Sequence, residues 1–250
     1  MTSVDDIQHL RPVQPLHFPS SQPEWDLGQS IRHLDLCMLL RELLVAAVTR
    51  SDSVGCDQFI YFDASRPKRC LAPDGMVKLG VPQEQFQSWK TWEKGTPELG
   101  MEILSPSDTP ETLTFEEKYE RYHAAGVREL VVFHVDGPVG KRLRAWDRID
   151  GDLVERVVRD EVTPCVTLGL WFVLRPANDQ PVALRLARDA AGSDLVPTER
   201  ERTDAERRAN EEERRAKEEE RRAKEEERRA KEAALAEVAR LQALLGERAK

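Results

Sequence analysis

Apolar positions after Ser30 recur at a helical period. Ile31, Leu34, Met38, Leu39, Leu43 and Val45 to Val48 predict one amphipathic helix over about 30–49. Shorter runs with strand character follow, at Gln58 to Phe62 and Gly75 to Leu79. The Gln-, Trp- and Lys-rich stretch 82–95 reads as helix or loop. Leu99, Met101 and Ile103 then alternate with Gly100, Glu102 and Leu104, as in a strand over about 99–104.

The segment 112–125 predicts a short helix. Thr112 or Thr114 can cap it, Glu116 and Glu117 suit its dipole, and Gly126 ends it. Glu129 to Val135 is nearly all apolar, the mark of a strand covered on both faces. Strand, helix and covered strand make a βαβ unit, so the two strands should lie parallel, with a right-handed crossover. Leu143 to Trp146 and Leu153 to Val158 flank Asp150-Gly151, a hairpin signal, and Leu168 to Leu174 reads as the closing strand. These elements predict an α/β body.

Both ends differ from the body. Pro12, Pro15, Pro19 and Pro23 make residues 1–27 an extended leader. Residues 28–175 form the expected domain, and 176–197, with Pro176, Pro181, Gly192 and Pro197, a short hairpin or linker. Beyond Thr198, Glu206 to Glu212 recurs at 213–219, 220–226 and 227–233 with small changes, a seven-residue period like that of coiled coils. The repeats share one apolar position, at Ala209, Ala216, Ala223 and Ala230, whereas a stable zipper needs two larger apolar positions per heptad. Glu-to-Lys/Arg pairs at i,i+4 favour a solvated single helix of roughly 75 Å. Its end, with Ala234, Val238, Leu241 and Leu245 on one face, is expected to mediate weak self-association, such as a homodimer through 198–250.

Charge sharpens this division. Residues 198–250 hold 16 basic and 16 acidic residues, so 1–197 carries the whole net charge of −8. A broad basic surface for non-specific DNA binding is excluded as the dominant feature. No run reaches the roughly 18 apolar residues of a membrane span, and the acidic N-terminus lacks the apolar core of a secretory signal. The four cysteines, Cys37, Cys56, Cys70 and Cys165, are scattered without a CxxC and read as ordinary buried thiols of a reduced cytosolic protein rather than as a zinc site.

Three residues carry candidate chemistry. Asp74 stands at the mouth of a short strand, Glu102 on the strand face opposite Leu99, Met101 and Ile103, and Lys118 in the next helix. Taking Phe115 as zero at about 100° per residue, Tyr119 falls near +40°, Tyr122 near −20° and Lys118 near −60°. Glu116, Glu117, Glu120 and Arg121 lie about 100° or more away. Lys118 is thus the charge expected to border the sheet-facing aromatic stripe, either snorkelling along it or serving a site. Two carboxylates and the Ile103 carbonyl can hold Mg²⁺ with waters remaining, and a nearby ammonium can stabilise charge on a phosphate. His33, His123 and His134 are weaker ligand candidates. Trp89 and Trp92, with Lys90 and Lys94, can be read as a DNA contact or as a lid packed on the body.

Three segments resemble a known family: Leu71-Ala72-Pro73-Asp74-Gly75-Met76-Val77, Gly100-Met101-Glu102-Ile103-Leu104-Ser105-Pro106-Ser107, and Glu117-Lys118-Tyr119-Glu120-Arg121-Tyr122-His123-Ala124-Ala125-Gly126-Val127-Arg128-Glu129-Leu130. In order and type they are similar to the Uma-two family of the PD-(D/E)xK nuclease superfamily, over about residues 28–175. The resemblance implies a restriction-endonuclease-like mixed sheet flanked by helices, followed here by the long charged helix. It also implies a metal-dependent endonuclease acting on DNA with Mg²⁺ or Mn²⁺. By it, Asp74 is the motif aspartate, Glu102 the acid of the second strand and Lys118 the lysine. Leu104 occupies the more usual place for that lysine, and the pattern moves it into the next helix. Glu42 stands where some nucleases of the superfamily use a first-helix glutamate, but it reads more readily as a solvated helix residue. Gly75 after the Pro-Asp pair and Phe133-His134-Val135-Asp136-Gly137 depart from the pattern. The alternative expectation is a catalytically silent member of the fold, a scaffold that self-associates through its tail.

Overall fold

A computed structural model describes residues 9–10, 30–85, 88–104 and 114–248. In chain order the elements are β1 (His9–Leu10), α1 (Ile31–Ala47), β2 (Ser53–Gly55), β3 (Ile60–Tyr61), β4 (Cys70–Leu71), β5 (Gly75–Lys78), β6 (Trp89–Lys90), α2 (Thr91–Lys94), β7 (Leu99–Leu104), α3 (Phe115–Ala125), β8 (Glu129–His134), β9 (Leu143–Ile149), β10 (Asp152–Arg156), β11 (Val162–Cys165), β12 (Leu170–Ala177), β13 (Gln180–Ala187) and α4 (Glu199–Arg248). The chain divides into two units, 1–198 and 199–250.

The first unit is a mixed α/β body. Its main sheet has the order β1-β10-β9-β8-β7-β5-β2, parallel only between β7 and β8 and antiparallel elsewhere. β7, α3 and β8 form the expected βαβ unit, in which Met101 faces Val131 and Glu102 faces Val132. Alternation along β7 and β8 feeds two cores. Leu99, Met101, Ile103, Val131 and Phe133 join the core of α1 and the β11-β12-β13 sheet. Leu130 and Val132 join Tyr119, Tyr122 and Trp146 on the opposite face, under α3 and the small β4-β3-β6 sheet.

Helix ends follow local chemistry. Ser30 caps α1 by accepting from the His33 N–H. Thr114 and Glu117 form a capping box at the start of α3, and Gly126, at φ 82°, ends it in the left-handed conformation. In the β9–β10 hairpin, Asp150 (φ 51°) and Gly151 (φ 93°) both take positive φ, as a two-residue turn matched to strand twist requires. A buried fork ties the sheets together. Arg156 pairs with Glu129 at 2.7 Å and with Asp147, and donates to Pro164 O at 2.5 Å, while Glu129 accepts the N–H groups of Val166 and Thr167.

Several expectations are corrected. His9–Leu10, placed in the leader, pairs antiparallel with β10 at the sheet edge; the rest of 1–29 lies outside the described residues. The strand over 58–62 shrinks to Ile60–Tyr61, and 82–95 contains both a short strand and a helical turn, with 86–87 outside the description. Residues 112 and 113 of the expected helix also lie outside it. The boundary at 175 falls inside β12, and of the hairpin or linker expected over 176–197 a hairpin is what forms: β13 pairs along β12, and Ala183, Leu184 and Leu186 join the core. The buried Arg185, which donates to Val196 O at 3.1 Å, breaks the apolar run that marks a core strand.

The second unit is the 50-residue helix α4, with Glu213–Lys217 (2.5 Å) and Glu218–Arg222 (2.8 Å) among its i,i+4 pairs. The side chains of Val238, Leu241 and Leu245 lie outside the described residues. Among the described residues, no helix is long and apolar enough to cross a membrane.

Candidate functional site

The antiparallel register of β5 and β7 sets Gly75 opposite Met101, which carries Asp74 to the level of Glu102 where β5 begins. The Ile103 N–H donates to Asp74 Oδ2 at 2.6 Å. On β7, Leu104 O accepts from Val135 N on the β8 side. Strand carbonyls alternate in direction, so the Ile103 carbonyl shares its own N–H's edge, toward Asp74.

Glu102 points to the α3 side, and both its oxygens are engaged. Lys118 Nζ lies 2.6 Å from Oε2, and Tyr122 Oη–H donates to Oε1 at 2.6 Å. Lys118 reaches it because Thr114 fixes the first turn of α3, and Tyr122 because Gly100 leaves room for its ring. Burial pushes the Glu102 carboxyl up to about 7; the Lys118 ammonium opposes this and the Asp74 charge adds to it.

Asp74 Oδ1 faces α1. His33 Nε2 lies 3.1 Å away, and the Cys37 thiol 3.5 Å away. His33 and Cys37 are one turn apart on one helix face. The donor atoms of His33, Cys37 and Asp74 all lie within 4.8 Å of one another, and the three residues are buried. Asp57, held at φ 55° by its N–H to Pro73 O (2.9 Å), stands at the exposed rim. Local desolvation of its carboxyl, then the Asp74 charge, push it up to about 6. The Cys37 thiol is raised by its hydrogen bond with Cys56, by burial and by the charges of Asp74 and Asp57.

The structure thus brings Asp74, Ile103, Glu102 and Lys118 to one end of β5 and β7. Sequence reasoning placed His33 among weak ligands and Cys37 among ordinary thiols, although their i,i+4 spacing on a predicted helix was a signal for a shared site. Glu42 is half-exposed on α1. His123 pairs with Asp152 at 3.3 Å, and His134 is half-buried at the end of β8. Trp89 is fully buried, and its indole N–H donates to Gly95 O at 2.8 Å, so it offers no face for stacking on DNA. Trp92 is exposed, but Lys90 and Lys94 pair with Glu93 and Glu84. The wheel also misplaced Glu120 and Arg121. Both are buried because the small sheet covers that side of α3, where Arg121 donates to Cys70 O at 2.7 Å. Comparison of the chain with protein-family models, with curated proteins and with solved structures gives no match.

Proposed function

We propose that this protein is a metal-dependent endonuclease of the restriction-endonuclease-like class, hydrolysing DNA phosphodiesters at Asp74, Glu102 and Lys118. The observation that carries this reading is the 2.6 Å contact between Lys118 Nζ and Glu102, 16 residues apart, at the sheet end where Asp74 lies. The donor set fits Mg²⁺ or Mn²⁺: two carboxylates and the Ile103 carbonyl are hard oxygen ligands. A divalent cation bound there supplies charge neutralisation on the phosphate and a more acidic water. Lys118 then holds an ammonium where negative charge grows on the phosphate oxygens, and Tyr122 fixes the rotamer of Glu102. The order and type of the motifs resembling the Uma-two family support the same reading.

One observation favours a second reading, a silent nuclease-fold scaffold that self-associates through α4. Both Glu102 oxygens are already hydrogen-bonded, to Lys118 and Tyr122, so a cation there competes with the ammonium. The net charge of −8 also repels DNA. Plasmid and single-stranded DNA incubated with Mg²⁺ or Mn²⁺ separate the two. Cleavage is expected with the wild type and is lost in Asp74→Ala and Lys118→Ala. Absence of cleavage with every metal favours the scaffold, and cleavage that survives both substitutions defeats the assignment of these residues.

A further inference from the structure

We propose that His33, Cys37 and Asp74 form a binding site for Zn²⁺, using the Asp74 oxygen that faces α1. This does not rest on the nuclease reading, because binding is measured without DNA.

The geometry matches the ion. Zinc bonds of about 2.0–2.2 Å to nitrogen and oxygen and about 2.3 Å to sulfur give tetrahedral edges of roughly 3.4 Å for N–O and 3.6 Å for S–O. The corresponding separations here are 3.1 Å for His33 Nε2 to Asp74 Oδ1 and 3.5 Å for Cys37 Sγ to the same oxygen. For these two edges, closing around an ion requires shifts of a few tenths of an ångström, and the His33 and Cys37 donor atoms lie within 4.8 Å of each other.

The chemistry selects the same class of metal. An imidazole and a thiolate are poor ligands for Mg²⁺ and good ones for zinc. The site's supports are built in. The Ile103 N–H fixes Asp74 Oδ2, which turns Oδ1 toward α1. Ser30 and the helix backbone set His33 and Cys37 on one face. On binding, the Cys37 S–H bond breaks, its proton goes to solvent and a sulfur–metal bond forms. Three protein ligands leave a fourth position for water.

The test uses the full chain, reduced, stripped with a chelator and titrated with Co²⁺. A thiolate-to-cobalt charge-transfer band and tetrahedral d–d absorption are expected to saturate at about one equivalent and to be displaced by Zn²⁺. Cys37→Ser should abolish the charge-transfer band, His33→Ala should weaken binding at least about tenfold, and Cys56→Ser should leave the band in place. No charge-transfer band in the wild type overturns the proposal, as does a band kept in Cys37→Ser or lost in Cys56→Ser. If Cys37→Ser does not fold, X-ray absorption of the zinc-loaded wild type decides. One sulfur neighbour with nitrogen and oxygen supports the site; none, or two or more, sinks it. Zinc binding without DNA cleavage leaves this site standing and the nuclease reading fallen, and the reverse outcome does the opposite.

Discussion

Gly100 has no Cβ where the ring of Tyr122 lies; a Cβ built there would come within 2.5 Å of Tyr122 Cε1. The contact matters because Tyr122 then reaches Glu102 Oε1, so one missing methyl group helps set the acid's orientation. Gly100→Ala should displace the ring and cost about 1–3 kcal/mol, the usual range for overpacking a core. Urea unfolding would measure it, and an unchanged midpoint would show that the ring has room. Glu161 is a second case where one residue is fixed by several partners. Its backbone takes φ 55°, which costs a side-chain-bearing residue about 1–2 kcal/mol. Arg142 grips both carboxylate oxygens (2.8 and 2.5 Å), and the N–H groups of Gly140 and Arg142 add two bonds. The Arg142 hydrogen bonds hold the carboxyl below its ordinary value of 4.5. Its contribution is therefore complete above that value and disappears as pH falls through the lowered folded value. Glu161→Gln should lose about 1–3 kcal/mol at neutral pH, with little solvent screening because the carboxylate is mostly buried. The gap to wild type should close in acid, and a gap constant between pH 7 and pH 3 would refute this account.

At the scale of elements, β13 is the piece most easily mistaken. It pairs along β12 from Trp171–Ala187 to Ala177–Gln180 and supplies buried Ala183, Leu184 and Leu186. A chain ending at residue 175 loses that strand and exposes the partner face of β12. Residues 1–175 should fail to give a cooperative thermal transition, whereas 1–198 should melt cooperatively; calorimetry on both decides, and a cooperative 1–175 would make β13 an accessory. Local periodicity made much of the rest legible. The two-residue period of β7, the covered run of β8 and the caps of α3 are properties of adjacent residues, so the βαβ unit and its parallel pairing follow from sequence. What escaped depends on contacts distant in the chain. Pro181 and the buried Arg185 hide a core strand, and Arg185 is tolerated there because Val196 O, 11 residues on, accepts from it. Glu120 and Arg121 look solvated on a wheel that knows nothing of the small sheet above them. Asp74 and Glu102 come level only through the pairing of β5 with β7, which the local pattern of neither strand states. The approach of His33 and Cys37 to Asp74 needs the packing of α1 across 37 residues or more of chain.

At the scale of the whole molecule, the charge is divided as sharply as the fold. Residues 1–197 carry the net −8 while the tail is balanced, so electrostatics neither draws the tail to DNA nor gives it a net charge to repel another copy. Within α4, pairs such as Glu220–Lys224 (2.5 Å) and Glu225–Arg229 (2.6 Å) each contribute about 0.2–0.5 kcal/mol to the helix, and salt weakens them. They stabilise a helix without supplying an apolar seam, because the repeats offer alanine alone. Self-association through α4 is therefore expected from its last turns, where Ala234, Val238, Leu241 and Leu245 recur at helical spacing. The two contributions respond oppositely to salt: ion pairs weaken, and contacts between apolar side chains do not. Sedimentation velocity of the full chain should therefore show weak, concentration-dependent association that persists in high salt, while residues 1–197 remain monomeric. Val238→Glu with Leu245→Glu should return the full chain to a monomer and keep its helicity. Identical monomer masses for the full chain and the truncation would leave α4 as a solvated arm with no part in assembly.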